Sequence, residues 1–218
     1  DHESSPIQPT ASARGVPPHF PSGEADPSHP FALTLLRRAP ADLMSGRAAP
    51  LVLLRFATLA DFIASPDFAR RDQIVQGLSP DVPLAGLQYL PVIPRPEKIV
   101  CAVRNYMDHH QEVLAAGLHR ELSEEPPIFL RVWRSQTPHE GPIVRPRVSE
   151  SLDWEGELAV IIGKGGRRIS ADTAMEHVAG YAVFNDASVR DWQRHNIQFT
   201  PGKNFPATGA FGPAMVTP

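Results

Sequence analysis

A single cysteine, Cys101, stands among 218 residues. It excludes an intrachain disulfide framework and fits a reducing, cytoplasmic setting. It lies in the apolar run "KIVCAV", which suits a buried structural thiol better than a nucleophile. No apolar run approaches the length that spans a bilayer, so no membrane partner is expected. Neither sign of charge is in excess: 21 Lys and Arg face 24 Asp and Glu, a formal net charge of -3. That balance argues against nucleic acid or an anionic membrane as partner. There is no internal repeat. The glycines of "GKGG" lack the G-x-x-x-x-G-K-[ST] spacing of a phosphate loop and read as a turn.

The chain does have prolines, 24 of them, and they punctuate it. Residues 1–30 are rich in Pro and Ser without an apolar period and read as an extended arm or linker. Residues 31–94 read as a small N-terminal domain. Within it, "LVLLRF" (51–56) is an expected strand, and "LADFIASPDFARRDQIVQGL" is helical with a break at Pro66. Residues 95–218 have a different texture, with many short strands and few helices, which predicts an α+β, mostly β architecture. "EKIVCAVRNY", "PPIFLRVW", "WEGELAVIIG" and "YAVFND" are the expected strands. "NYMDHHQEVLAAG" is an expected helix, capped by Asn105 and ended by Gly117. "SADTAMEHVAG" is a second, from Ser170 to Gly180. "SVRDWQRH" reads as a helical turn and "GKNFPATGAFGP" as a Gly/Pro-rich loop.

The residues that invite chemistry are carboxylates. Glu155 and Glu157 are two apart in an expected strand, so both project from one face. Like charges at that distance repel unless a cation intervenes. An isolated E-x-E is most often just a solvated strand end. Here Asp186, at the end of another strand, supplies a third carboxylate. Three carboxylates make an all-oxygen site suited to Mg²⁺ or Mn²⁺, with Ca²⁺ an alternative, and unsuited to zinc. His109 and Glu112 are three apart on the expected helix, a spacing that lets a carboxylate orient an imidazole for general-base work. His110 competes for that role but lacks the i+3 carboxylate. Arg190 and Gln193 can hold a substrate carboxylate, and Lys203 can stabilise an enolate or oxyanion.

In the order in which they occur, "KIVCAVRNYMDHHQEV", "IFLRVWRSQ", "LDWEGELAVIIGK", "HVAGYAVFNDASVRDWQ" and "GKNFPATGAFGP" resemble the fumarylacetoacetate hydrolase family. Within the family they resemble its acylpyruvate hydrolase and 2-hydroxyhepta-2,4-diene-1,7-dioate isomerase branch. The resemblance implies a mixed β-sandwich roll, commonly a homodimer. It also implies a metal site of Glu155, Glu157 and Asp186 that usually takes Mg²⁺. His109 and Glu112 would form a water-activating pair on a mobile helix. Lys203 would lie against the developing enolate, with Arg190 and Gln193 near the substrate. The implied activity is hydrolysis of a C–C bond in an acylpyruvate or β-diketo acid during aromatic catabolism. Isomerisation, decarboxylation or hydration of 2-oxo diacids is the alternative, and a non-catalytic ligand-binding relative is another. Two departures stand out: the family often has Lys where this chain has Arg131, and its members continue past the position of Pro218. The natural chain is therefore expected to continue too.

Overall fold

A computed structural model describes residues 35–36, 47–48, 56–76, 82–83, 88–103, 106–115, 117 and 125–218. The expected arm over 1–30, most of the strand at 51–56 and the Asn105 cap lie outside them. The strands are β1 (Leu35–Leu36), β2 (Arg47–Ala48), β3 (Val82–Pro83), β4 (Ile99–Ala102), β5 (Ile128–Arg131), β6 (Gln136–Pro138), β7 (Leu152–Asp153), β8 (Gly156–Ile162), β9 (Val178–Asp186), β10 (Ser188–Val189), β11 (Gly209–Phe211) and β12 (Met215–Val216). The helices are α1 (Leu59–Ile63), α2 (Arg71–Gln76), α3 (Met107–Ala115), α4 (Arg190–Gln193) and α5 (Thr200–Lys203). Short 3₁₀ segments run over Pro66–Arg70, Trp133–Ser135 and Ala171–His177. Strands outweigh helices, as an α+β, mostly β chain should show.

β9 organises the main sheet. Its Tyr, Val and Phe residues favour a pleated, half-buried surface. β8 pairs antiparallel along one edge, from Gly156 opposite Asn185 to Ile161 opposite Gly180. β11 and β12 pair antiparallel with the other edge, at Phe184–Asp186 and at Tyr181. β6 and β1 extend the six-stranded sheet in parallel from β11 and β12. A strand paired on both edges cannot slip without breaking both ladders and turning its side chains over. The position of Asp186 at the end of β9 is thus set by the register of the whole sheet.

Side chains alternate across β8 and β9. Ile161, Ala182 and Phe184 face a core that also holds Phe211 and Met215, and α1 covers it with Leu59, Phe62 and Ile63. Those α1 positions are spaced i, i+3, i+4, which is one helical face. Thr58 and Asp61 start the helix with a reciprocal capping box, at 3.2 and 2.9 Å. Phe62, 1% exposed, is flanked by the rings of Phe56 and Phe68. Pro66 interrupts the helical run where the sequence indicates, as the first residue of the 3₁₀ segment that follows α1. The described part of 31–94 therefore shares a core with the sheet.

The apolar run of β8 is only half buried: Leu158, Val160 and Ile162 face outward, and Ile161 faces the core. Two expectations need correction. The segment after Ser170 is 3₁₀ and ends at His177, so Gly180 lies inside β9 rather than capping a helix. A Cβ on Gly180 would stand 2.6 Å from Met215 Cγ and from the Val216 carbonyl, so the approach of β12 requires glycine there. Finally, "GKNFPATGAFGP" is not only loop, since it contains the end of α5 and all of β11. Replacing Gly180 with Ala should destabilise the fold by about 1–3 kcal/mol through overpacking. The shift is read from urea unfolding midpoints. Gly165→Ala, whose Cβ meets nothing within 4 Å, should stay within about 0.5 kcal/mol of the parent.

Candidate active site

Register brings the acids together. With Gly156 opposite Asn185, Glu155 falls opposite Asp186. The Asp186 amide donates to the Glu155 carbonyl at 2.8 Å. The Glu155 amide donates to Asn185 Oδ1 at 3.0 Å. Glu157, two residues on, projects from the same face.

Two cations enter this acidic corner from other elements. Lys203 closes α5, and its Nζ donates to Glu155 Oε2 at 2.7 Å, Asp186 Oδ2 at 2.6 Å and the Asp186 carbonyl at 3.1 Å. Those three bonds use every donor of the ammonium. The face of Phe129 backs it, 5.0 Å from the ring centroid. Arg131 closes β5 and takes the other Asp186 oxygen, with Nη1 2.6 Å from Oδ1. Its remaining donors reach the Ala187 carbonyl, Thr208 Oγ1 and Ser135 Oγ. A Cβ on Gly209 would lie 3.0 Å from Arg131 Nη2, so glycine makes room for the guanidinium. The side chains of Lys203 and Arg131 are 1% and 0% exposed. A buried charge costs several kcal/mol unless paired and hydrogen-bonded, and these are both.

Glu155 has a second set of partners. Its Oε1 accepts from Arg190 Nη1 and from Ser188 Oγ, each at 2.6 Å. Arg190 also donates to Asp153 Oδ2 at 2.9 Å and to Gln193 Oε1 at 3.0 Å. The adjacent glutamates titrate in opposite senses. Burial pushes Glu155 up, but Lys203, Ser188 and Arg190 outweigh it and hold the carboxyl below its usual range. Burial, joined by the charges of Asp186 and Glu155, holds Glu157 above its usual range against a hydrogen bond from Tyr106. The Arg190 hydrogen bond lowers Asp153.

A cavity of about 1720 Å³ opens over these groups, and Cys101, Phe129, Glu157, Asp186 and Lys203 are among its walls. Tyr106 and Val113 place α3 at its border. His109 lies on α3, with its side chain outside the described part, and Glu112 lies one turn on. The geometry thus gathers Glu155, Glu157, Asp186 and Lys203, with Arg190 and Gln193 beside them. Lys203 spends its three donors on two carboxylates and the Asp186 carbonyl, and Arg190 is engaged by Asp153 and Glu155. Sequence reasoning missed Asp153, Ser188 and Tyr106, and saw Arg131 only as a departure. The signal for Asp153 was present, because "DWEGE" alternates three acids.

Among the described residues, no group of three His, Cys, Asp or Glu is arranged to hold a metal ion. Glu155 turns its oxygens to Lys203 and Arg190, and Asp186 turns its own to Lys203 and Arg131. The donor chemistry still fits a hard divalent cation. Glu155, Glu157 and Asp186 offer only oxygen from one face of the sheet. Asp153, Glu155, Glu157 and Asp186 together outnumber Arg131, Arg190 and Lys203, and Glu157 is the carboxylate left without a cationic partner among the described contacts.

The profile described as "Fumarylacetoacetate (FAA) hydrolase C-terminal" matches residues 98–218. A segment of 140 residues is 41% identical to the mitochondrial oxaloacetate tautomerase FAHD2A of Homo sapiens, covering 63% of this chain and 43% of that protein. The oxaloacetate tautomerase YisK of Bacillus subtilis is 42% identical over 127 residues, covering 57% and 41%. The chain therefore spans less than half the length of these curated relatives. Among solved structures, the 2-hydroxyhepta-2,4-diene-1,7-dioate isomerase of Mycobacterium marinum matches with a TM-score of 0.53 and 29% identity, over 65% of this chain and 51% of that one. The fumarylacetoacetate hydrolase of Exiguobacterium antarcticum matches with a TM-score of 0.51 and 30% identity, over 73% and 55%.

Two outcomes follow from the charge arrangement. Arg131→Met leaves Asp186 buried with one oxygen unpaired and should cost about 3–5 kcal/mol in urea unfolding. Burial and then the Asp186 charge push the Cys101 thiol up to about 12. Its alkylation by iodoacetamide should be slow at neutral pH and should keep accelerating with pH well past the range of a free cysteine, about 8.5.

Proposed function

From the premise that the chain belongs to the fumarylacetoacetate hydrolase family, we propose that it interconverts the keto and enol forms of a small 2-oxo diacid such as oxaloacetate. The observation that carries this reading is the convergence of Glu155, Asp186 and buried Lys203 on the wall of one cavity. The names of the relatives support it at the level of substrate class.

In such a reaction the C3–H bond breaks and its proton passes to a base. The electron pair forms the C2=C3 double bond, and the 2-oxo oxygen takes a proton. Nothing is gained or lost overall. His109, on the helix that borders the cavity, is the proposed base, with Glu112 orienting it. Lys203 acts on the developing negative charge as a fixed cation, because its own donors are already engaged. Arg190, held by Asp153 and Glu155, stands with Gln193 where a substrate carboxylate can be received. Glu155, Glu157 and Asp186 would hold Mg²⁺ or a similar divalent ion, which when bound supplies Lewis acidity and the positive charge that the cluster lacks.

Hydrolysis of an acylpyruvate is the second reading, favoured by the three-residue spacing of His109 and Glu112 and by the size of the cavity. There, water loses a proton to His109 and its oxygen bonds to the distal carbonyl carbon. The C–C bond then breaks, giving a carboxylic acid and, after protonation, pyruvate. A homodimer in a reducing compartment is the proposed working state. Among the described residues no helix is long and apolar enough to cross a membrane.

The two chemistries separate in a spectrophotometric assay with Mg²⁺, run once on enol-oxaloacetate and once on an acylpyruvate. Loss of enol absorbance without C–C cleavage is the expected result, while cleavage of the acylpyruvate at a comparable rate would transfer the assignment to the hydrolase. Lys203→Met and His109→Ala should each lower kcat by about 10²-fold or more. Full activity in either variant removes that residue from the mechanism.

A further inference from the structure

Glu155 and Asp186 divide their oxygens by task. Glu155 Oε1 accepts from Arg190 Nη1 and from Ser188 Oγ, each at 2.6 Å. A carboxylate has roughly four lone-pair sites over its two oxygens, so this oxygen is fully occupied. Asp186 Oδ1 accepts from Arg131 Nη1 at 2.6 Å. That guanidinium is pinned in place: its side chain is 0% exposed, and it also donates to the Ala187 carbonyl, Thr208 and Ser135. The two remaining oxygens are held differently. Glu155 Oε2 and Asp186 Oδ2 face one common point, which Lys203 Nζ marks at 2.7 and 2.6 Å. Among the described hydrogen bonds Lys203 is the sole partner of each, so each keeps a lone pair to give.

Resting on the divalent-ion reading above, we infer that Arg131, Arg190 and Ser188 choose the ion. They reserve one oxygen of each carboxylate, so Glu155 and Asp186 can each give a cation a single oxygen. Chelation by both oxygens of either residue would press a dication against a guanidinium. Ca²⁺ fills a shell of about six to eight oxygens and often takes both oxygens of a carboxylate. Mg²⁺ and Mn²⁺ accept an octahedron of single oxygens, completed by water or substrate. The donor types alone leave all three ions open, and the reserved oxygens favour the smaller pair over Ca²⁺. Arg131, Arg190 and Ser188 act here as positioning residues, through the carboxylates they hold.

The test titrates Mn²⁺ and Ca²⁺ separately into the full chain by calorimetry, for the parent and for the double variant Arg190→Met, Ser188→Ala. The Arg190 side chain is 28% exposed and Ser188→Ala removes only a hydroxyl, so the variant should fold. Losing one positive charge should tighten both ions alike, so the ratio of their dissociation constants isolates the freed oxygen. The parent should prefer Mn²⁺, and in the variant that preference should fall about tenfold, the scale of one charge-assisted hydrogen bond. A parent that prefers Ca²⁺, or a ratio unchanged in the variant, overturns the inference and leaves the metal reading standing. A parent that binds neither ion overturns both. If the double variant does not fold, Arg190→Met alone decides: a fall of about threefold is expected, and no change overturns the inference.

Discussion

Lys203 and Arg131 grip the two oxygens of Asp186 from different elements, and both side chains are withdrawn from water. Neither charge could remain there alone, since burial favours the neutral form or an unfolded chain. The aspartate likewise needs both. This mutual requirement fixes the approach of α5 and β5 to the end of β9, and through Lys203 it fixes Glu155. The sheet register then has one acceptable setting. Asp186 must lie where both cations reach it, and Phe184, two residues back, must enter the core beside Phe211. Polar and apolar demands on β9 therefore agree on the same alignment.

The adjoining glutamates show how little geometry separates different electrostatic roles. Glu155 and Glu157 share a face, yet one is wrapped by Lys203, Arg190 and Ser188 and the other has no cationic partner among the described ion pairs. The first is a firmly ionised structural anion. The second is the adaptable group, open to a proton or a cation. Environments that push neighbouring carboxyls apart in acidity are a recurring property of sites that move protons.

Much of the fold was legible because its signals are local. Pro66 had to break a helix, and the valine, tyrosine and phenylalanine of "YAVFND" had to favour a strand. Alternation along a strand is enough to place Glu155 and Glu157 on one face. What could not be read was long-range. Arg131 enters the cluster only because β5 brings it to Asp186, and nothing near it in sequence announces that partner. Gly180 and Gly209 looked like punctuation but serve close approach to Met215 and Arg131. The outward-facing half of β8 was also invisible, because an unbroken apolar run conceals which alternate residues meet the core.

The cluster is built almost wholly from bonds that join distant parts of the chain: Arg131 to Asp186 spans 55 residues, Arg131 to Thr208 spans 77, and Glu155 to Lys203 spans 48. Closing such loops costs entropy that no neighbouring residue can recover locally. An unfolded chain thus holds no partial version of the pocket for a small molecule to recognise. Whatever occupies the pocket binds the folded form alone, and mass action then adds its occupancy to the stability of the entire sheet. For this protein, heat resistance and substrate supply become two readings of one equilibrium.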